Sequence, residues 1–165
     1  MFTPKLILAP TDFSEFSLTA LETAKDLAKH YGAELLLLHV VPVIPSLPHG
    51  VPYFDDGVYE QQLIETAGKS LDDLADKMRA AGINVRTSVG FANDAAMEII
   101  RTSEDQKVDL IVIPTHGMTG WRRLAFGSVT EKVVRIAECP VLVLRSKATN
   151  EIQRAGSKSQ AAATS

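Results

Sequence analysis

The chain has 165 residues with 17 Lys+Arg against 20 Asp+Glu, a formal net charge of −3 and 45% hydrophobic residues. At roughly 150 residues per domain this is one domain with an ordinary core, and its acidic balance disfavours nucleic-acid binding by a basic surface, which needs clustered Lys and Arg to release counterions. One cysteine excludes an intramolecular disulfide, and no apolar run approaches the roughly 18 residues of a membrane helix. The N-terminal MFTPKLILAPTD has no signal-peptide pattern, so the expected location is the cytoplasm, without membrane attachment.

Short apolar runs alternate with longer segments of helical period, the signature of βαβ units and a parallel sheet. Lys5–Ala9 opens the series as strand one. Ser14 then stands as N-cap of a helix with Leu18, Leu21, Ala24, Leu27, Ala28 and Tyr31 on one face, stopped by Gly32. Strand two, Glu34–Val41, is continuously apolar at its centre, as expected where helices cover both faces. Pro42 to Val58 carries four prolines and reads as a long loop leaving a strand end, a common form of binding loop.

A second helix is expected from about Tyr59 to Ala81, with Leu63, Ala67, Leu71, Leu74 and Met78 inward. Asn84–Val89 alternates in polarity and reads as an edge strand. The third helix spans about Asn93 to Glu104 with Ala95, Ala96, Ile99 and Ile100 inward, followed by strand four, Val108–Pro114. The last helix starts at Ser128, where Ser-Val-Thr-Glu has the form of a capping box, and presents Val129, Val133 and Ile136. Strand five, Val141–Arg145, closes the pattern. Residues 147–165 lack any period and are expected to be a disordered tail with net charge +2, leaving −5 on residues 1–146.

These elements predict an α/β doubly wound open parallel sheet of five strands with helices on both faces. In such sheets ligands bind beyond the carboxyl ends of the strands, where the winding direction reverses. The residues just after each strand therefore matter most: Pro10-Thr11-Asp12, His39-Val40-Val41, Gly90-Phe91 and Pro114-Thr115-His116-Gly117. Further on, Gly117 and Gly120 punctuate a loop, and Gly127-Ser128 meets a helix N-terminus, where main-chain N–H groups and the helix dipole favour an anion. The local pattern leaves two readings open: a phosphate cradle and an ordinary helix cap. It matches neither the Rossmann fingerprint nor the P-loop.

Asp12 lacks the second carboxylate of a phosphoacceptor site, since Ser88-Val89-Gly90 supplies none, and it also serves as a simple turn or helix cap. His39 and His116 follow strands two and four without metal-ligand spacing. Cys139, before Pro140, reads as a small buried apolar residue. No residue is evidently placed as general base on an attacking water, so no enzymatic activity is expected, and any hydrolysis would be slow and incidental.

KLILAPTDFSE, LLHVV and IVIPTHGMTGWRRLAFGSVTEKVVRIAECPVLVL resemble the universal stress protein (UspA-like) family over about residues 3–145. Its ATP-binding members carry Gly-x-x-Gly, nine residues, then Gly-Ser/Thr; here Gly117, residues 118–126 and Gly127-Ser128 match, and Pro114 replaces the first glycine. The resemblance implies the strand order 3-2-1-4-5 with ATP or a related adenine nucleotide bound where strands one and four part, possible Mg²⁺, and a stress-responsive binding or signalling role. Pro10, Thr11 and Asp12 would lie beside the adenosine, with the Val40 main chain on adenine. Ile113, Pro114, Thr115, His116 and Gly117 would line the ribose and phosphate side, and Gly127, Ser128 and Val129 would hold the phosphates. It also implies a homodimer through Val141–Arg145. The alternative is a member that binds no nucleotide and works through protein contacts, a reading raised by Pro114, which has no N–H to donate.

Overall fold

A computed structural model of the chain describes residues 2–43, 56–115 and 127–145. The element order is β1 (Leu6–Pro10), α1 (Glu15–Tyr31), β2 (Glu34–Val41), α2 (Asp56–Ala80), β3 (Val85–Phe91), α3 (Ala95–Asp105), β4 (Leu110–Pro114), α4 (Ser128–Ile136) and β5 (Val141–Leu144). All strand pairs are parallel and the sheet order is β3-β2-β1-β4-β5, as expected, with β3 at one edge.

Alternation along the strands divides the core into two halves. Ile7, Ala9, Leu35, Leu37 and Val112 face α1 and α2, meeting Leu21, Ala24, Ala28, Leu71, Ala75 and Met78. Leu6, Leu8, Leu36, Leu38, Ile111 and Ile113 face α3 and α4, meeting Ala96, Ile99, Ile100 and Val133. The continuous leucine run of β2 thus serves both faces, which is why it shows no period-two polarity.

Local signals set the helix ends. Ser14 caps α1 by accepting from Ser17 N, and Gly32 ends it at φ 65°, in the left-handed region that glycine enters without a Cβ penalty. Asp94 caps α3 by accepting from Met97 N, so that helix begins at Ala95 rather than Asn93. α2 begins at Asp56, taking in Gly57 and Val58 from the expected loop.

Three expectations are corrected. Leu18 and Tyr31 of α1 are exposed, and Ser17 and Ala20 are buried in their stead, because the face of α1 that meets the sheet is centred on Ser17, Ala20, Leu21, Ala24 and Ala28. On α4, Val129 and Ile136 are also exposed while Thr130 and Val133 are buried. Finally, Ser128 does not cap α4: the cap is Gly127 at φ −70°, ψ 157°, with no side-chain hydrogen bond. Gly127 N donates to Thr115 O at 2.7 Å and Thr130 Oγ1 to Pro114 O at 2.7 Å, and this anchoring places Ser128 inside the first turn.

The rest of the proline-rich segment, the glycine-rich segment with His116, Gly117, Gly120, Trp121, Arg122 and Arg123, and the expected tail at 147–165 lie outside the described residues.

Candidate functional site

The chain winds from β1 outward through β2 to β3, then returns to the other side of β1 for β4 and β5, so the reversal falls between β1 and β4. There the ladder is short. β1 pairs with β4 only at Ile7↔Leu110 and Leu8↔Ile111, whereas β1·β2 continues to Pro10↔Leu38 and β4·β5 to Pro114↔Leu144. Beyond Leu8 and Ile111 the two central strands separate into a crevice.

Backbone direction gives the prolines at its rim a physical role. Thr11 N bonds Leu38 O on β2, so Pro10, one residue earlier, has its main chain turned toward β4. Thr115 N bonds Leu144 O on β5, so Pro114 is turned toward β1. Each proline lacks its N–H on the side facing the gap, where no ladder bond is made. Pro114 therefore costs the sheet no hydrogen bond, and it offers a ligand in the crevice no donor at that position.

The crevice opens into a cavity of about 270 Å³. Its wall comes from Pro10, Thr11, Asp12 and Ser17 at the β1–α1 connection, Leu38 and Val40 of β2, Ala95 and Ile99 of α3, Ile113 and Pro114 of β4, and Gly127 to Thr130 at the start of α4. The predicted residues Pro10, Thr11, Asp12, Val40, Ile113, Pro114, Gly127, Ser128 and Val129 are thus brought together on one wall. Thr115 is buried behind it, holding Gly127 N on its carbonyl, and His116 and Gly117 lie outside the described residues.

Leu38, Ala95, Ile99 and Thr130 join the wall without having been singled out as site residues. Ala95 and Ile99 are four apart and read in the sequence as core positions; only the packing of α3 beside the crevice makes them lining residues. Ser17, in the first turn of α1, also reaches the cavity, while Ser14 caps the helix.

The β1–α1 turn is held by its own side chains. Phe13 N donates to Thr11 Oγ1 at 3.0 Å, and Thr11 Oγ1 lies 3.0 Å from Ser17 Oγ. Ser17 Oγ donates to Ser14 O at 2.9 Å, so the hydrogen between Thr11 and Ser17 comes from Thr11. Ser14 donates to Asp12 Oδ1 from both its N, at 3.1 Å, and its Oγ, at 2.5 Å. Phe13 sits at φ 60°, a left-handed conformation that costs a bulky residue on the order of 1–2 kcal/mol. Its ring rests 4.6 Å from that of His39, whose Nδ1 is 2.8 Å from Thr11 O.

Asp12 is the one formally charged residue on the described wall, and no described lining residue is basic. Lys132 of α4 is engaged by Asp94, and this contact, followed by the Met97 N–H, holds the Asp94 carboxyl below its usual range. An anion in the cavity would meet the first N–H groups of α4, whose N-cap, Gly127, has no side chain to cap them. Among the described residues no group of His, Cys, Asp and Glu has the arrangement of a metal centre. The side-chain oxygens on the described wall are those of Thr11, Asp12, Ser17, Ser128 and Thr130.

Comparison with known proteins agrees with this architecture. The model of the universal stress protein family matches residues 4–145. Universal stress protein MJ0531 of Methanocaldococcus jannaschii is 36% identical over 142 residues, covering 86% of this chain and 82% of that protein. Among solved structures, the hypothetical protein MJ0577 superposes with a TM-score of 0.74 at 27% identity, covering 90% of this chain and 100% of that one. Universal stress protein UspA from Lactobacillus plantarum gives 0.70 at 28% identity, covering 86% and 97%. On the match of residues 4–145 and these relatives, the chain belongs to the universal stress protein family.

Proposed function

We propose that this universal stress protein binds an adenine nucleotide, ATP first among them, in the cavity between β1 and β4 and acts in the cytoplasm as a stress-responsive binding or signalling module. The observation that carries the reading is the convergence of the two motif ends, Pro10-Thr11-Asp12 and Gly127-Ser128-Val129, on one cavity at the winding reversal. The apolar wall of Leu38, Val40, Ile99 and Ile113 suits a base, Asp12 can accept hydroxyl or amine donors, and the uncapped start of α4 suits phosphate. Each described chemical need of a nucleotide meets a residue on the wall.

The role in this reading is binding rather than turnover: among the described wall residues, the hydroxyls of Thr11, Ser17 and Thr130 are engaged in holding the turn and the α4 start. Dimerisation through β5 accompanies this reading. The strand is a sheet edge with four half-buried apolar residues, and Val134 and Ile136 of the adjoining α4 are 47% and 39% exposed. A second copy across a two-fold axis would cover both.

The competing reading, a protein that works by contacts alone, is favoured by Pro114, which withholds one donor from the crevice. Calorimetric titration of nucleotide-stripped protein with ATP and Mg²⁺ separates the two. The nucleotide reading expects saturable heat that Gly117→Val abolishes while the circular dichroism spectrum is kept. Absence of heat, with no ATP-dependent rise in melting temperature, would establish the other reading.

A further inference from the structure

His39 does not line the cavity, yet it touches the turn that does at two points. Its Nδ1 lies 2.8 Å from Thr11 O, and its ring rests against Phe13 with centroids 4.6 Å apart. A carbonyl can only accept, so Nδ1 carries the hydrogen and donates it to Thr11 O. Thr11 is 5% exposed and forms part of the wall; Phe13, two residues on, holds the left-handed φ of 60° that separates Asp12 from the α1 cap. The same turn is held from within by Phe13 N on Thr11 Oγ1 and by Ser14 N and Oγ on the Asp12 carboxylate, and His39 is the residue of β2 that grips it from outside.

We propose that His39 is a positioning residue of the nucleotide site: by donating to the Thr11 carbonyl and backing the Phe13 ring, it holds the turn in the form that places Asp12 at the cavity. This rests on the nucleotide reading for its functional consequence, though not for the contact itself. The residue acts through Thr11 and Phe13, at the end of β2, and needs no contact with ligand. Its neutral tautomer is the Nδ1–H form, the less common one for a solvated histidine, and that assignment is directly observable.

Two variants separate the donor from the ring. His39→Asn keeps an N–H close to the position of Nδ1 and loses the ring; His39→Phe keeps the ring and loses the donor. In ligand-free protein, the expected result is Nδ1 protonation in the nitrogen spectrum of the neutral imidazole. Amide exchange of Phe13 should quicken about ten-fold in His39→Phe, the scale of one hydrogen bond, with core amides such as Leu36 unchanged and His39→Asn close to the parent. In titrations with ATP and Mg²⁺, His39→Phe should bind about ten-fold more weakly and His39→Asn near the parental affinity, with melting temperatures that do not follow the same order.

Equal exchange at Phe13 in the two variants, Nε2 protonation, parental ATP affinity in His39→Phe, or affinity falling only in step with melting temperature would each overturn the proposal. A parent protein that binds no ATP would instead remove the nucleotide reading, and the exchange comparison would still decide whether His39 holds the turn.

Discussion

Thr130 donates its hydroxyl to Pro114 O at 2.7 Å, tying the first turn of α4 to the last residue of β4. With Gly127 N on Thr115 O, it closes the chain on itself across a segment of eleven residues, 116–126, and fixes the α4 N-terminus at the mouth of the crevice. Both partners are buried, so neither is readily satisfied by water.

Thr130→Val, nearly isosteric, should therefore lower stability by about 1–3 kcal/mol, the cost of leaving a buried acceptor without its donor. Thr130→Ser should recover most of it. Urea unfolding of the three proteins is the check, and equal midpoints for Val and the parent would show that the bond contributes nothing.

Gly90, near the end of β3, faces the side chain of Glu98. A Cβ there would come within 2.6 Å of Glu98 Cγ and 2.9 Å of its Oε1, and Glu98 is 8% exposed and held by Arg101. Gly90→Ala should destabilise by about 1–3 kcal/mol through overpacking. Adding Glu98→Ala, which removes the obstructing atoms, should make the double variant more stable than the sum of the single effects predicts. Strict additivity in denaturant melts would rule out the contact.

Asp94 joins α3 to α4 through Lys132. Its folded-state pKa lies below the ordinary 3.8 because Lys132 and the Met97 N–H favour the carboxylate. A depressed acid contributes stability that is complete above the unfolded pKa and is lost as pH falls through the folded one. Asp94→Asn should thus flatten the loss of stability below about pH 4, where carboxylates protonate, and weaken the salt dependence near neutrality. Acid titrations followed by circular dichroism in which parent and variant lose stability with the same slope would contradict this.

Cys139 is half-buried against the α3 and α4 side of the core, and burial pushes its thiol above the ordinary 9.0. Only thiolate reacts, so modification by an aromatic disulfide reagent should be slower at pH 8 than for a small-molecule thiol, and its rate should still be climbing above about pH 9. A plateau at lower pH would mean an activated thiol.

Much of the site was legible before folding was considered. Glycines and prolines at strand ends, an acid after β1 and a Gly-Ser pair before a helix marked the residues that Pro10, Thr11, Asp12, Gly127 and Ser128 contribute to the wall. What misled was local pattern without tertiary constraint. Ser128 has the spacing of a capping box, yet the bonds to Pro114 O and Thr115 O place the cap at Gly127. Leu18 and Tyr31 share the helical period of the core residues, yet the buried face of α1 is centred on Ala20, Leu21, Ala24 and Ala28 and leaves them to solvent.

The alternation of apolar runs and helical segments was enough for a parallel α/β sheet covered on both faces, because period depends on neighbours in the chain, while the family resemblance supplied the strand order and with it the place of the winding reversal. The width of the crevice, the facing of Pro10 and Pro114 across it, and the grip of His39 on Thr11 and Phe13 were decided only in three dimensions. They depend on which strand each backbone N–H and C=O meets, and that is settled by register between residues from Ile7 to Leu144 that are distant along the chain.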